Sequence, residues 1–281
     1  MKRVIVHRVR SSRAAAPSAN RPGTAAQGLR VIDTAVFKSF NPAMLNLGDL
    51  SLPCQEREAV TAVFDLTGFT TFCNQVDAYL AIPRFLKSFL EWFFISIRKR
   101  LTTENLGNRT ALWVELPMKV KFMGDGLLIL WNAQRMTEAQ MCRLTVTLYD
   151  ICAAYQEEFL PRTKEIIDRP PKILRCGVAR GKVFTVGNGN DFVGHCINNA
   201  SRLSHLFGLS FAFPNRGFPV KQYIPEDYLS QFVQKYVPIR GVGANELVWV
   251  VRREFEALPP EDKVNFTSPE SMDARRTGAS V

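Results

Sequence analysis

Apolar and polar positions alternate along the middle of the chain in two patterns, which separate predicted strands from predicted helices. Short apolar runs that end at Gly, Asp or Asn are typical of strands, whereas apolar residues that recur every three or four positions are typical of helices. The predicted strands are 60–64, the hairpin 118–131, 173–178, 209–213 and the hairpin 237–251. The predicted helices are 84–101, a helix from 137 to about 155, and a helix after Gly194.

Helices therefore alternate with strands that include hairpins, an arrangement that indicates an α+β fold. The helix 84–101 begins after Pro83 and has an apolar stripe, which we expect to pack in the core or against a second subunit. Pro161 leaves the end of the second helix open, and Gly181-Lys182 is interpreted as a turn before a further strand.

Two acidic residues stand at the ends of predicted strands. Asp65 ends the apolar run 59–64, and Asp125 lies between two glycines at the tip of the hairpin 118–131. If these strands pair, their carboxylates converge. Mg²⁺ and Mn²⁺ prefer carboxylate and carbonyl oxygens, and two such ions about 4 Å apart are a common device in phosphoryl transfer. A single Asp in such a position is more often a turn residue, so the pair needs a third element.

The third element is the helix after Gly194, which carries Asn198 and Arg202. A spacing of four residues places both side chains on one helix face. Asn198 could hold a ribose oxygen, and the guanidinium of Arg202 could neutralise charge that develops on phosphate oxygens. An alternative role for Arg202 is an ordinary solvated surface residue. His195 and His205 flank this helix without an obvious carboxylate partner in the sequence.

Taken together and in this order, these segments resemble the class III nucleotide cyclases, the family of adenylate and guanylate cyclases. The resemblance covers roughly residues 60–251. It implies a ferredoxin-like βαββαβ core, a mixed or antiparallel sheet with helices on one face, and a head-to-tail homodimer. It also implies conversion of a nucleoside triphosphate to a 3′,5′-cyclic nucleotide and pyrophosphate, with two Mn²⁺ or Mg²⁺ ions per site.

The resemblance also implies roles for individual residues, with metal ligands from one subunit and the base-reading and transition-state residues from the other. Asp65, the Leu66 carbonyl and Asp125 match the metal ligands. The remaining positions are Lys121 and Asp191 for the base, Asn198 and Arg202 for the transition state, and Arg240 for the triphosphate.

The identity of the base has two competing interpretations. The pair Lys121 and Asp191 goes with adenine in the family, which favours ATP. The segment from Gly181 to Asp191 departs from the family pattern, with one extra residue before Gly187 and a short link after it. The run 72–94 and the compact form of the chain are similar to the uridylate and cytidylate cyclases of bacterial Pycsar anti-phage defence, which favours a pyrimidine nucleotide, with UTP ahead of CTP. A non-catalytic nucleotide-sensing or dimerisation module is the alternative to an enzyme.

Composition adds limits to these hypotheses. The 281 residues are 46% hydrophobic, which suits one catalytic domain, predicted at 31–255 between a disordered basic arm at 1–30 and a flexible tail at 256–281. The net charge of +10 does not by itself distinguish DNA from a nucleotide, and we expect no nucleic-acid partner. The basic arm also fits a transit peptide, but six cysteines without a Cys-x-x-Cys pair favour a cytoplasmic enzyme. No apolar run is long enough for a membrane span, and a receptor for the cyclic product would be a separate chain.

Overall fold

The computed structural model describes residues 33–272, so the predicted arm at 1–30 lies outside the described residues. The ten strands are β1 (Glu56–Thr67), β2 (Thr102–Leu106), β3 (Arg109–Leu112), β4 (Lys119–Phe122), β5 (Gly126–Asn132), β6 (Ile173–Val186), β7 (Asp191–Val193), β8 (Phe211–Pro214), β9 (Phe232–Ile239) and β10 (Gly243–Val251).

Ten α-helices accompany these strands in the described part of the chain. They are α1 (Thr34–Ser39), α2 (Phe69–Cys73), α3 (Ala78–Leu101), α4 (Glu138–Ala154), α5 (Leu160–Lys164), α6 (His195–Ser204), α7 (Val220–Tyr223), α8 (Glu226–Leu229), α9 (Arg252–Ala257) and α10 (Pro260–Lys263). Helix α1 belongs to a separate small unit at the start of the chain, in which Asp33 caps the helix by accepting a hydrogen bond of 2.7 Å from the Ala35 N–H.

One large sheet carries the fold, with the strand order β4-β5-β1-β6-β8-β10-β9. All neighbours along it are antiparallel except β6 and β8, and β7 pairs with the end of β6. The first four strands of this order, with α3 and α4 between them in the chain, form the βαββαβ core of a ferredoxin-like fold. The predicted α+β class and mixed sheet are therefore confirmed. The resemblance implied helices on one face, where α3 and α4 lie, and the structure adds α6 on the other face.

Strand β1 is central and apolar on both faces, because each face is covered by helices. Ala62 and Phe64 point into the larger core formed with α3 and α4, where the Phe64 ring meets that of Phe93 edge-on at 4.8 Å. Ala59 and Val63 point to the opposite face, where the buried side of α6 packs. Side chains of successive strand residues alternate between faces, so a strand covered on both sides reads as a continuous apolar run.

Helix α6 approaches the sheet closely because β6 presents two glycines beneath it. A Cβ atom on Gly177 would lie 2.0 Å from the Ala200 carbonyl oxygen, and one on Gly181 would lie 3.2 Å from Cys196 Cβ. The interpretation of Gly181-Lys182 as a turn is wrong, since β6 runs unbroken through both residues. The glycine serves helix packing, a role that a local pattern does not distinguish from a turn.

One helix limit near a proline differs from the prediction, and the limit that Pro161 left open is resolved by the structure. Helix α3 begins at Ala78 and includes Pro83. Proline has no N–H to donate to the carbonyl of Tyr79, four residues earlier. The helix tolerates this loss because Tyr79 is exposed, so water can bond to its carbonyl instead. Helix α4 continues through a π turn at Tyr155–Phe159, where the Leu160 N–H bonds to the Tyr155 carbonyl, and α5 then accommodates Pro161 in its first turn.

Part of the predicted C-terminal tail has structure. Thr267 forms an antiparallel bridge to Tyr236 of β9, and Phe266 is buried against Phe207 and Phe255. The described part of the chain therefore packs against the sheet as far as Thr267. None of the helices within residues 33–272 has the length and apolar character that crossing a membrane requires.

The close packing of α6 on Gly177 of β6 leads to a testable prediction. Gly177→Ala should lower the free energy of unfolding by at least about 2 kcal/mol, since the new methyl group would overlap the backbone of Ala200 and Ser204 in α6. Gly181→Ala is the matched control, because its methyl group meets only a side-chain atom at 3.2 Å. Urea unfolding of both variants checks this, and equal losses would show that α6 does not rest on Gly177.

Candidate functional site

The carboxylates of Asp65 and Asp125 lie at the same end of the sheet. Asp65 stands opposite Gly126 in the β1–β5 register, and the Leu66 N–H donates a hydrogen bond of 3.0 Å to the Asp125 carbonyl. Gly126 makes this approach possible, since a Cβ atom there would lie 1.9 Å from the Phe64 carbonyl oxygen. The structure thus brings together the two acidic residues that the sequence predicts to converge.

Asp65 is almost buried, with 8% of its surface exposed, and three titratable side chains surround it. Arg175, its partner on β6, places Nη2 3.0 Å from Oδ2, and His205 at the end of α6 places Nδ1 3.8 Å from the same oxygen. Burial raises the pKa of Asp65, His205 and Arg175 oppose that rise, and the charge of Asp125 adds to it. The Arg175 guanidinium and the His205 ring therefore favour the ionised form of this carboxylate against the effect of burial.

Such an environment suits a hard divalent cation. The N–H and C=O of one strand residue point to the same side, so the Leu66 carbonyl faces the Asp125 turn as its N–H does. Two carboxylates and one carbonyl oxygen are donors of the kind that Mg²⁺ and Mn²⁺ prefer. Within residues 33–272, no group of three or more His, Cys, Asp and Glu side chains is placed to hold a metal ion.

The two residues predicted to read the base are also in contact. Lys121 on edge strand β4 forms an ion pair with Asp191, and Lys119, which lies on the same strand face, donates to the Asn190 carbonyl. Burial acts to raise the pKa of Asp191, but the hydrogen bonds from Lys121 and from the Phe192 N–H hold it below its ordinary value. Asp191 is thus an ionised acceptor with one partner already in place.

Asn198 and Arg202 lie on the exposed side of α6, opposite the buried Cys196 and Ala200. The predicted spacing on one helix face is confirmed. The loop between β9 and β10 adjoins this side: the His195 ring lies 3.2 Å from the Gly241 carbonyl, and the Arg202 guanidinium lies 3.5 Å from the position of a Cβ atom on Gly241. Arg240, the residue before Gly241, is exposed.

One chain therefore holds the predicted residues in separate groups. The buried side of α6 packs on the sheet face that carries Asp65, and Asn198 and Arg202 point away from that face. In the described part of the chain, no hydrogen bond or salt bridge joins either side chain to Asp65 or Asp125. The sequence missed Arg175 and the link from His205 to Asp65, because both arise from pairing between residues more than 100 positions apart.

Comparison of this structure with solved structures finds proteins of similar fold. It resembles the adenylyl cyclase CyaB from P. aeruginosa with a TM-score of 0.52 and 14% identity, over 71% of this chain and 96% of the other. It resembles the guanylyl cyclase Cya2 with a TM-score of 0.52 and 16% identity, over 71% and 94% of the two chains. The chain has the fold of a class III cyclase domain. No protein-family model and no curated protein matches the sequence.

The charges around Asp65 lead to a prediction about its pKa. Arg175→Gln should raise the pKa of Asp65 further, because burial and the Asp125 charge would then be opposed by His205 alone. Carboxyl ¹³C titration by NMR measures this pKa. The control is Arg98→Gln, which removes the same charge from an exposed position on α3 across the sheet. An unchanged pKa in Arg175→Gln would show that the ion pair does not form in solution.

Proposed function

We propose that this protein is a nucleotide cyclase, which converts a nucleoside triphosphate to a 3′,5′-cyclic nucleotide and pyrophosphate. The observation that carries the proposal is the meeting of Asp65 and Asp125 at one end of β1 and β5, with the Leu66 carbonyl directed to the same place. The fold shared with adenylyl and guanylyl cyclases supports it. In the reaction, the ribose 3′-hydroxyl attacks the α-phosphorus in line with the departing pyrophosphate.

The residues present suit the parts of this reaction. Asp65, Asp125 and the Leu66 carbonyl would hold two Mg²⁺ or Mn²⁺ ions, which when bound supply charge neutralisation at the phosphates. Asn198 orients the ribose, and Arg202 neutralises charge that grows on the α-phosphate in the transition state. Arg240 adds positive charge beside Arg202, where the triphosphate of a bound substrate would lie.

The geometry of α6 supports a head-to-tail homodimer with composite sites. Because Asn198 and Arg202 face away from the sheet of their own subunit, they can complete a site only with carboxylates from another chain. A symmetric dimer would then contain two such sites. Each would take its metal ligands from one subunit, and Lys121, Asp191, Asn198 and Arg202 from the other.

For the base, we propose UTP as the substrate and cyclic UMP as the product, signalling in anti-phage defence through a receptor on a separate chain. The sequence resemblance over 72–94 and the short turn between β6 and β7 support a pocket that differs from that of purine cyclases. ATP is the second candidate, because the ion pair of Lys121 with Asp191 is the combination that goes with adenine. The six cysteines, all free, suit a reducing cytoplasm.

Turnover of the four ribonucleoside triphosphates tests the activity and the base. We expect cyclic UMP and pyrophosphate from UTP with Mn²⁺ or Mg²⁺, less product from the other three, and none with EDTA. Chromatography and mass spectrometry identify each product. Preference for ATP would replace the pyrimidine proposal while leaving the cyclase intact, whereas no cyclic product from any nucleotide would favour a non-catalytic module.

Mixing of inactive variants tests the composite site. Asp65→Ala and Arg202→Ala should each lose at least about 100-fold in activity, since each removes a charge that stabilises the transition state. Mixed together they should recover up to about a quarter of wild-type activity, because half of the dimers in a random mixture would be mixed and each would own one intact site. Asp65→Ala mixed with Asp125→Ala is the control, which should not recover because both changes affect the same half of the site.

A further inference from the structure

A segment that precedes β1 lies against the turn that leads to Asp191. We call this segment, residues 46–55, the strap. Two hydrogen bonds join its last residue to β6. The Gln55 N–H donates to the Thr185 hydroxyl at 2.9 Å, and the Thr185 N–H donates to the Gln55 carbonyl at 3.0 Å. The sequence indicates no role for it.

The strap meets the β6–β7 turn, residues 187–190, at three places. The Asp49 N–H donates to Asn188 Oδ1 at 3.1 Å, and Asn190 Nδ2 donates to the Asn46 carbonyl at 3.2 Å. The closest approach is at Gly187, where a Cβ atom would lie 1.7 Å from the Leu47 carbonyl oxygen. The backbone of the strap at Leu47 therefore packs so closely on Gly187 that position 187 has no space for a side chain.

The same turn is held from the other side by the predicted base site. Lys119 donates to the Asn190 carbonyl, and the next residue, Asp191, forms the ion pair with Lys121. Asp191 also pairs with Val186 across the short hairpin, so its position follows directly from the conformation of the turn. A shift of the strap would move Asn190 and, with it, the carboxylate of Asp191.

We infer that the strap is a positioning element for base recognition, which acts through Gly187, Asn188 and Asn190 to set the place of Asp191 against Lys121. The inference rests on the proposed function, and it assigns to this segment control of the affinity and selectivity for the nucleotide base. The phosphate and metal groups lie on other elements, and α6, which carries Asn198 and Arg202, is held by its own packing on β6. Loosening of the strap should therefore weaken recognition of the base without weakening that of the triphosphate.

Two glycines of the turn provide a matched pair of variants. Gly187 and Gly189 both have positive φ, at +59° and +81°, so an alanine at either position has comparable backbone strain. They differ in surroundings, because a Cβ atom on Gly189 has nothing within 4 Å, whereas one on Gly187 would overlap the strap. Gly187→Ala displaces the strap, and Gly189→Ala controls for strain in the turn.

The experiment measures kcat and KM for the preferred nucleoside triphosphate, and inhibition by tripolyphosphate, which has no base. We expect Gly187→Ala to raise KM about tenfold, or about 1.4 kcal/mol, with kcat within about threefold and tripolyphosphate inhibition unchanged. Preference among the four nucleotides should fall in parallel, and Gly189→Ala should resemble wild type. Hydrogen exchange at residues 46–55 should rise only in Gly187→Ala. Equal KM values in the two variants, or weaker inhibition by tripolyphosphate in Gly187→Ala, would overturn the inference.

Asn188→Ala and Asn190→Ala provide a milder test if Gly187→Ala does not fold. Each removes one side-chain contact to the strap while keeping the Asn190 carbonyl that Lys119 binds, and each should raise KM about threefold, consistent with loss of a single hydrogen bond. No change in either would count against the strap.

Failure of the strap inference can be told apart from failure of the cyclase proposal. If wild-type protein makes no cyclic nucleotide, calorimetric binding of the four nucleoside triphosphates replaces turnover. Binding that Gly187→Ala weakens and Gly189→Ala preserves would support the strap while the cyclase proposal fails. Normal turnover with no difference between the two variants would overturn the strap alone, and absence of both turnover and binding would overturn both.

Discussion

The close pairing of β1 with β5 and β6 is the constraint on which the rest of this structure depends. It requires Gly126, because any side chain there would strike the Phe64 carbonyl, 1.9 Å from where a Cβ atom would stand. With β5 held so closely, Asp125 reaches the Leu66 backbone, and Asp65 is enclosed on one side by the hairpin and on the other by Arg175. A buried carboxylate next to a second one is costly unless positive charge is present, so under the proposed function the same pairing that builds the fold also places the two carboxylates where cations would bind.

A second close approach determines which residues a single chain can and cannot bring together. Gly177 lets the backbone of α6 lie directly on β6, which turns Cys196 and Ala200 inward and leaves Asn198 and Arg202 facing solvent. Arg202 then lies beside Gly241, next to the exposed Arg240. Under the proposed function, this arrangement explains why two subunits are needed, since the carboxylates and the transition-state residues lie on different sides of one domain. The strap adds a third constraint, at the turn before Asp191.

Much of the site could be predicted because its residues follow local rules. Asp125 between two glycines indicates a hairpin tip, and the spacing of Asn198 and Arg202 indicates one helix face, whatever the rest of the chain does. Arg175, the neighbour of Asp65 in the sheet, could not be found in this way, because its partner lies 110 positions earlier in the chain. The strap was missed for the same reason, since residues 46–55 have little periodicity and their partners are in a distant turn.

The sequence by itself determined the α+β class, the order of the core elements and the candidates Asp65, Asp125, Asn198 and Arg202, because apolar periodicity and turn chemistry are properties of neighbouring positions. Lys121, Asp191, Arg240 and the Leu66 carbonyl became candidates only through the family resemblance. Only the tertiary structure decided that Gly181 lies inside a strand under α6, that His205 approaches Asp65, and that α6 turns two of the predicted site residues outward. These features depend on how closely one backbone can approach another. The distance between two backbone segments depends on residues far apart in the chain, so it cannot be predicted from a local sequence pattern.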